Sequence, residues 1–203
     1  CRSMTGTLYV VGTPIGNLED ITLRALRVLK EVDFVLCEDT RVTKRLMAHY
    51  EVNKPLVSYH QHSDAKKVVE IVELLRAGKN LALVSDAGTP GISDPGNELV
   101  SRVFEAKLQT VRIVPIPGAS ALTAIASIAG FPMDRFLFLG FPPAKKGRKK
   151  FFQEVVSSPH PVVFYESPYR IIKSLEELKT ITELQTKNYK LKTVVGRELT
   201  KKF

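Results

Sequence analysis

The stretch Val84-Ser85-Asp86-Ala87-Gly88-Thr89-Pro90-Gly91-Ile92-Ser93-Asp94-Pro95-Gly96 constrains this chain more than any other. Three Gly and two Pro between positions 88 and 96 impose a backbone that is neither helix nor strand. An apolar run, Leu81 to Val84, leads in, and a helical pattern from Asn97 to Ala106 leads out. Strand-to-helix connections ordinarily need about two to six residues. This one is longer and stiffer, which predicts a ligand loop rather than a plain turn. Asp86 closes the strand, at the edge where an open α/β sheet places its ligand groups.

Two further stretches repeat the arrangement. Leu8 to Val11 runs into Gly12-Thr13-Pro14-Ile15-Gly16-Asn17, and Val111 to Val114 runs into Pro115-Ile116-Pro117-Gly118-Ala119-Ser120-Ala121. Each is a β-branched run, a Gly/Pro elbow and then an apolar helix. Three elbows at the C-terminal ends of three strands are expected to converge on one crevice.

The rest of the chain alternates in the same way. Ile21, Ala25, Leu29 and Val32 recur at helical spacing, Asp33 to Cys37 reads as a buried strand, and a helix is expected from Val42 to Tyr50. Leu56 to Tyr59 is a weak strand. Asp64 is expected to cap a helix that presents Val68, Ile71, Val72 and Leu75 on one face and ends at Gly78. This βα alternation predicts an α/β fold with a mostly parallel sheet and helices on both faces. The pattern changes near Pro132. Strands are expected at Arg135–Leu139, Pro161–Tyr165 and Leu191–Val195, with a helix from Ile171 to Leu178. The reading is therefore two domains, an N-terminal α/β domain over residues 1–132 and a C-terminal one over 133–203 that is incomplete at its end.

Charge separates the two parts. Residues 1–140 carry 16 Lys and Arg against 15 Asp and Glu; residues 141–203 carry 14 against 6. Lys145-Lys146-Gly147-Arg148-Lys149-Lys150 alone holds five cations in six residues. Such asymmetry points to a polyanionic partner, nucleic acid first. The longest weakly polar run, Ala119 to Phe131, is too short to span a bilayer, and no signal-peptide pattern precedes the first strand, so a soluble, cytoplasmic protein is expected. Cys37 lies in an apolar run and reads as a small buried hydrophobe. His49, His60, His62 and His160 share no ligand spacing with a cysteine, so no metal is expected. There is no P-loop, and Gly12-x-x-x-Gly16 is not a dinucleotide fingerprint. Motif reading alone arrives at an α/β protein with a small-ligand crevice and a basic second domain.

Several segments together resemble a known family. They are Val11 to Asp20, Cys37-Glu38-Asp39-Thr40-Arg41, Ser85 to Gly96, Pro117 to Ala121, Phe164 to Arg170 and Arg197 to Lys201. They look like the ribosomal RNA small subunit methyltransferase I family, in the tetrapyrrole methylase-like (class III) group of S-adenosylmethionine enzymes. The resemblance implies a two-domain fold with a mixed sheet in the C-terminal domain, the cofactor held between the domains, and a homodimer. The implied reaction is methyl transfer from S-adenosyl-L-methionine to the ribose 2′-oxygen of a cytidine in the decoding region of 16S rRNA, on free small-subunit rRNA or the 30S subunit. By position, the implied cofactor-binding residues are Ile15, Ser85, Asp86, Thr89, Ser120 and Ala121, with Glu166 as a further candidate. Glu38, followed by Asp39, takes the place of a proton acceptor, with Thr40 expected to cap the following helix and leave both acids free. Lys145, Lys146, Arg148, Lys149, Lys150 and Arg170 are the expected RNA contacts. The tetrapyrrole branch has Gly-Asp-Pro where Ser85-Asp86-Ala87 stands here, which argues against a tetrapyrrole substrate. A small-molecule methyltransferase would not need the lysine run. A non-enzymatic RNA-binding module would not need the elbows.

Overall fold

The computed structural model describes residues 6–60, 65–94, 96–106, 111–185 and 191–201. The chain forms two compact units, Cys1–Ala121 with Glu198–Phe203, and Leu122–Arg197. The sequence boundary at 132/133 falls inside the second unit.

The first unit is a parallel sheet of five strands, β1 (Thr7–Val11), β2 (Phe34–Cys37), β3 (Leu56–Ser58), β4 (Leu81–Leu83) and β5 (Arg112–Ile116), in the order β3-β2-β4-β1-β5. Side chains alternate along each strand, so both faces are apolar. Val35, Cys37, Ala82 and Val84 pack with Ala25, Val28 and Leu29 of α1 (Leu23–Glu31) and Met47 of α2 (Thr40–His49). Leu36, Leu81 and Leu83 pack on the other face with Ile71 and Leu75 of α3 (Ala65–Arg76) and Leu99 and Val103 of α4 (Gly96–Glu105). Each buried Val, Leu, Ile or Met among them contributes about 1.5–3 kcal/mol. The sheet with two covered faces is the one the alternation predicts.

Local capping sets the helix starts. Asn17 caps a single 3-10 turn, Leu18–Asp20, and Thr22 caps α1 through the Ala25 N–H at 3.0 Å. The α-helix therefore begins after Thr22, past the 3-10 turn. The expected Asp64 cap of α3 lies outside the described residues. At the other end of α3, the Gly78 and Lys79 N–H groups donate to the carbonyls of Leu75 and Leu74, the closing turn expected there.

The strand order places a crevice. After β2 the chain moves outward to β3; after β4 it moves the other way, to β5. Adjacent strands whose connections diverge leave a gap at their C-terminal ends. Glu38 follows β2, and Ser85-Asp86 follows β4.

The second unit contains α5 from Leu122 onward (the helix spans Ala121–Ile128), β6 (Leu137–Phe138), α6 (Arg148–Ser157), β7 (Val162–Val163) and α7 (Ile171–Gln185). Phe152 and Val155 of α6 pack against Leu178 and Ile181 of α7. Strands β6 and β7 are parallel, so the described residues form no mixed sheet. The strand expected at Leu191–Val195 is absent: the segment has no ladder partner among the described residues, and Val194 and Val195 are exposed. Helix α6 was not expected at all, because its cationic start hides the Phe152–Val155 face.

Candidate active site

The three elbows of the first unit close on one another. Thr13 and Gly88 exchange backbone hydrogen bonds of 2.9 and 3.1 Å, and the buried Thr13 hydroxyl lies 3.2 Å from the carbonyl oxygens of Ser85 and Gly88. Gly12 and Gly118 meet backbone to backbone. A Cβ on Gly12 would sit 2.8 Å from the Gly118 Cα, so any side chain there would force the β1 and β5 elbows apart. Gly88 has φ +83°, and a Cβ there would lie 3.2 Å from Ile15 Cγ2. The Thr89 hydroxyl donates to the Ala119 carbonyl at 3.2 Å. The structure thus brings Ile15, Ser85, Thr89 and Gly118–Ala119 together, with Ser120 and Ala121 following directly in the chain. The hydroxyls of Ser85 and Thr89 stitch the loops, which leaves mainly backbone groups and Asp86 to face a ligand.

Asp94, not singled out from sequence, holds the long loop in shape. Its Oδ1 accepts from the N–H groups of Gly91 at 2.5 Å and Gly96 at 2.8 Å. The signal was an Asp two residues before a Gly, an Asx turn in the making. Asp94 also lines a pocket with Glu38, Tyr59, Ser85 and Pro90, at the crevice between β2 and β4.

Four carboxylates, Glu38, Asp39, Asp86 and Asp94, gather at this edge, and they differ in character. Partial burial, then the charges of Asp86 and Asp94, push the Glu38 carboxyl above its ordinary value, with His60 pulling slightly the other way. Asp39 is held down to about 2 by hydrogen bonds from the Arg41 side chain and backbone N–H. It caps α2, accepting from the Arg41 N–H at 2.8 Å, and pairs with Arg41 Nη2 at 2.7 Å. Thr40, expected to be the cap, is instead the first helical residue. The reason is geometric: Asp39 has the extended backbone that an N-cap requires. Its own N–H donates to Asp86 Oδ1 at 3.2 Å, tying β2's end to β4's. Of the two acids expected as proton acceptors, Glu38 is suited to that task and Asp39 is committed to the helix.

The second unit redistributes three expected contacts. Glu166, whose side chain is 2% exposed, accepts from Ser174 Oγ at 2.6 Å and the Ser167 N–H at 2.8 Å, and pairs with Arg170 Nε at 3.0 Å. Burial pushes its carboxyl up, but Ser174, the Ser167 N–H and the two arginines outweigh that and hold it low. Its carboxylate oxygens are committed to the second unit's own hydrogen bonds and ion pairs. Arg148, 6% exposed, binds Glu177 at 2.7 Å, Ser174 Oγ at 2.6 Å and Glu166 at 3.4 Å, and its guanidinium carbon lies 5.0 Å from the Phe152 ring centre. A guanidinium so enclosed has no face for a phosphate, so Arg148 leaves the expected RNA set. Arg170 shares the network and stays partly exposed. Lys145, Lys146, Lys149 and Lys150 are exposed.

Among the described residues, no three His, Cys, Asp or Glu side chains are grouped to hold a metal, and no helix is long and apolar enough to cross a membrane.

The family model for tetrapyrrole (corrin/porphyrin) methylases matches residues 7–203. The ribosomal RNA small subunit methyltransferase I of Pseudomonas aeruginosa is 45% identical over 199 residues, which cover 98% of this chain and 68% of that one. The chain belongs to this family of methylases. The Mycoplasmopsis pulmonis protein of the same name is 45% identical over 196 residues, covering 97% of this chain and 84% of its own. Among solved structures, a cobalt precorrin-4 methyltransferase of cobalamin biosynthesis superimposes with a TM-score of 0.61 at 19% identity, covering 86% of this chain and 74% of that one; that likeness speaks to fold alone.

The methylase cofactor is S-adenosylmethionine, and the first unit fits it. The elbows approach too closely for side chains at Gly12 and Gly118, which makes a backbone-lined cradle. Asp86 adds one carboxylate where hydroxyls or a positive charge would be placed. Such a donor set suits a ligand that is polar, carries a cation and is not polyanionic.

Proposed function

We propose that this methylase transfers the methyl group of S-adenosylmethionine to the ribose 2′-oxygen of a cytidine in the decoding region of small-subunit rRNA. The observation that carries the reading is the meeting of the three elbows beside Glu38, a carboxylate with raised proton affinity. When bound, S-adenosylmethionine supplies an activated methyl group. Backbone groups of Ile15, Ser85, Thr89, Ser120 and Ala121, with Asp86, hold and orient it. A ribose hydroxyl is a weak nucleophile, and Glu38 takes its proton as the carbon–oxygen bond forms. A carboxylate of raised pKa is the better base here, since it binds the proton more strongly than an ordinary Glu.

Lys145, Lys146, Lys149 and Lys150, with Arg170 of the same unit, serve the RNA backbone. The ribose 2′-hydroxyl is the group that distinguishes RNA from DNA. We read the active form as a homodimer that works in the cytoplasm, where ribosomal subunits are found.

Thermal shift with S-adenosylhomocysteine, with and without 30S subunits, tests the reading. Stabilisation by both ligands supports it. Stabilisation by the nucleoside alone returns a small-molecule methyltransferase, and by subunits alone a binding module.

A further inference from the structure

Tyr169 is 99% exposed, the most open of the large apolar side chains among the described residues. It sits on the turn Ser167–Arg170 that joins β7 to α7. A single exposed ring is ordinary on a protein surface, but this one stands on a firmly held turn. Pro168 fixes one φ angle. The Arg170 and Ile171 N–H groups both donate to the Ser167 carbonyl, at 3.0 and 3.1 Å. Beneath the turn, the buried Glu166 carboxylate holds the Ser167 N–H, Arg170 Nε and Ser174 Oγ.

The same network reaches the lysine run. Arg148 joins Glu166 and Ser174 to the start of α6, and its Nη1 donates to the Pro143 carbonyl at 3.3 Å. Lys145 and Lys146 precede Arg148, and Lys149 and Lys150 follow it, all four exposed. An exposed aromatic ring and four exposed cations are thus fixed to one buried ionic knot in one unit. Single-stranded RNA asks for that pairing, with cations on the backbone and an aromatic face under an unstacked base.

We propose that Tyr169 is a stacking platform for an unpaired nucleobase of the rRNA substrate, held at fixed spacing from the phosphate-binding lysines by the Arg148–Glu166 knot. This rests on the rRNA reading above and adds a specificity-determining residue to it. The phenol ring offers a large rigid face at little entropic cost, since few torsions are frozen.

The chain contains no tryptophan, so Tyr169→Trp introduces a single fluorescent reporter at the platform. Titration with a single-stranded decoding-region oligonucleotide and with 30S subunits should quench its emission while affinity stays near wild type. Tyr169→Ala should weaken RNA binding by about 5- to 150-fold, the range for loss of one base–aromatic stack. It should leave the salt slope and S-adenosylhomocysteine affinity unchanged, because no charge is lost. Wild-type RNA affinity in Tyr169→Ala, or an unmoved Trp signal on binding, overturns the proposal. So does a change in oligomeric state on gel filtration that accounts for the lost affinity, which would make the ring a subunit contact. If the wild-type protein binds neither RNA, the functional reading falls and this proposal with it. If wild type binds and Tyr169→Ala binds equally, the platform alone falls.

Discussion

Arg148→Met tests whether the second unit is built around a buried ionic knot. The substitution keeps most of the side-chain volume and removes the charge. Arg148 is 6% exposed and Glu166 2%, and breaking such a pair from one side costs about 3–5 kcal/mol. The value should fall at the low end, for two reasons. Glu166 keeps Arg170 at 3.0 Å and Ser174 at 2.6 Å, and Glu177, 30% exposed, can regain water. A loss of about 3 kcal/mol corresponds to a melting temperature lower by about 6–12 °C in a chain of this length. Urea and thermal unfolding followed by far-UV circular dichroism measure both.

Acid sharpens the test. The native Glu166 carboxyl is held below its ordinary value, so its stabilisation is complete above the unfolded value of about 4.3 and disappears as pH falls through the lowered one. Removing Arg148 lifts that native value, and the variant should unfold at a higher pH than wild type. A loss below about 1 kcal/mol, the worth of a solvated pair, together with a salt slope for RNA binding reduced by about 0.7–0.9, would refute the argument. Arg148 would then be a phosphate contact, as the charge run alone suggested.

Glu38→Gln should leave cofactor affinity intact and slow single-turnover methyl transfer by about 10²–10⁴. In wild type the rate should rise with pH through the raised Glu38 pKa; a smaller loss in Glu38→Gln than in Asp39→Asn would move the base one residue on. Asp39→Asn should keep a cap and cost less than about 1 kcal/mol in stability. Gly88→Val should weaken S-adenosylhomocysteine binding by calorimetry, since φ +83° is strained for Val and its Cβ would press on Ile15. Changing Lys145, Lys146, Lys149 and Lys150 to Ser should flatten the RNA salt slope by about 0.7–0.9 per lost phosphate contact, with cofactor affinity unchanged.

The first unit was largely legible because its cues are local. Apolar runs meeting Gly/Pro elbows announced β1, β4 and β5, and the two-sided sheet followed from the βα alternation. The helix cap at Asp39 was misassigned to Thr40 because both residues can cap, and only the backbone angle decides between them. The second unit was less legible because its organising contacts are remote in sequence. Arg148 meets Glu166 and Glu177 across 18 and 29 positions, and nothing in a run of five cations marks one of them as buried. Helix α6 begins with Gly147, which supplies no side-chain cap, and with three cations at the end where the helix dipole disfavours them. That local cost is offset by the Arg148 knot and by the Phe152 packing, neither of which a window of neighbouring residues reveals. The segment Leu191–Val195 has strand composition without a ladder partner among the described residues, so its pattern misled.

The most direct measurement is the position and chemistry of the transferred methyl. Small subunits lacking the modification are incubated with the protein and isotopically labelled S-adenosylmethionine, and the 16S rRNA is digested and mapped by mass spectrometry. The account predicts one label, on the ribose 2′-oxygen of a decoding-region cytidine, dependent on Glu38. Label on a base, label at a site outside the decoding region, or an unlabelled rRNA beside a methylated small molecule would contradict it.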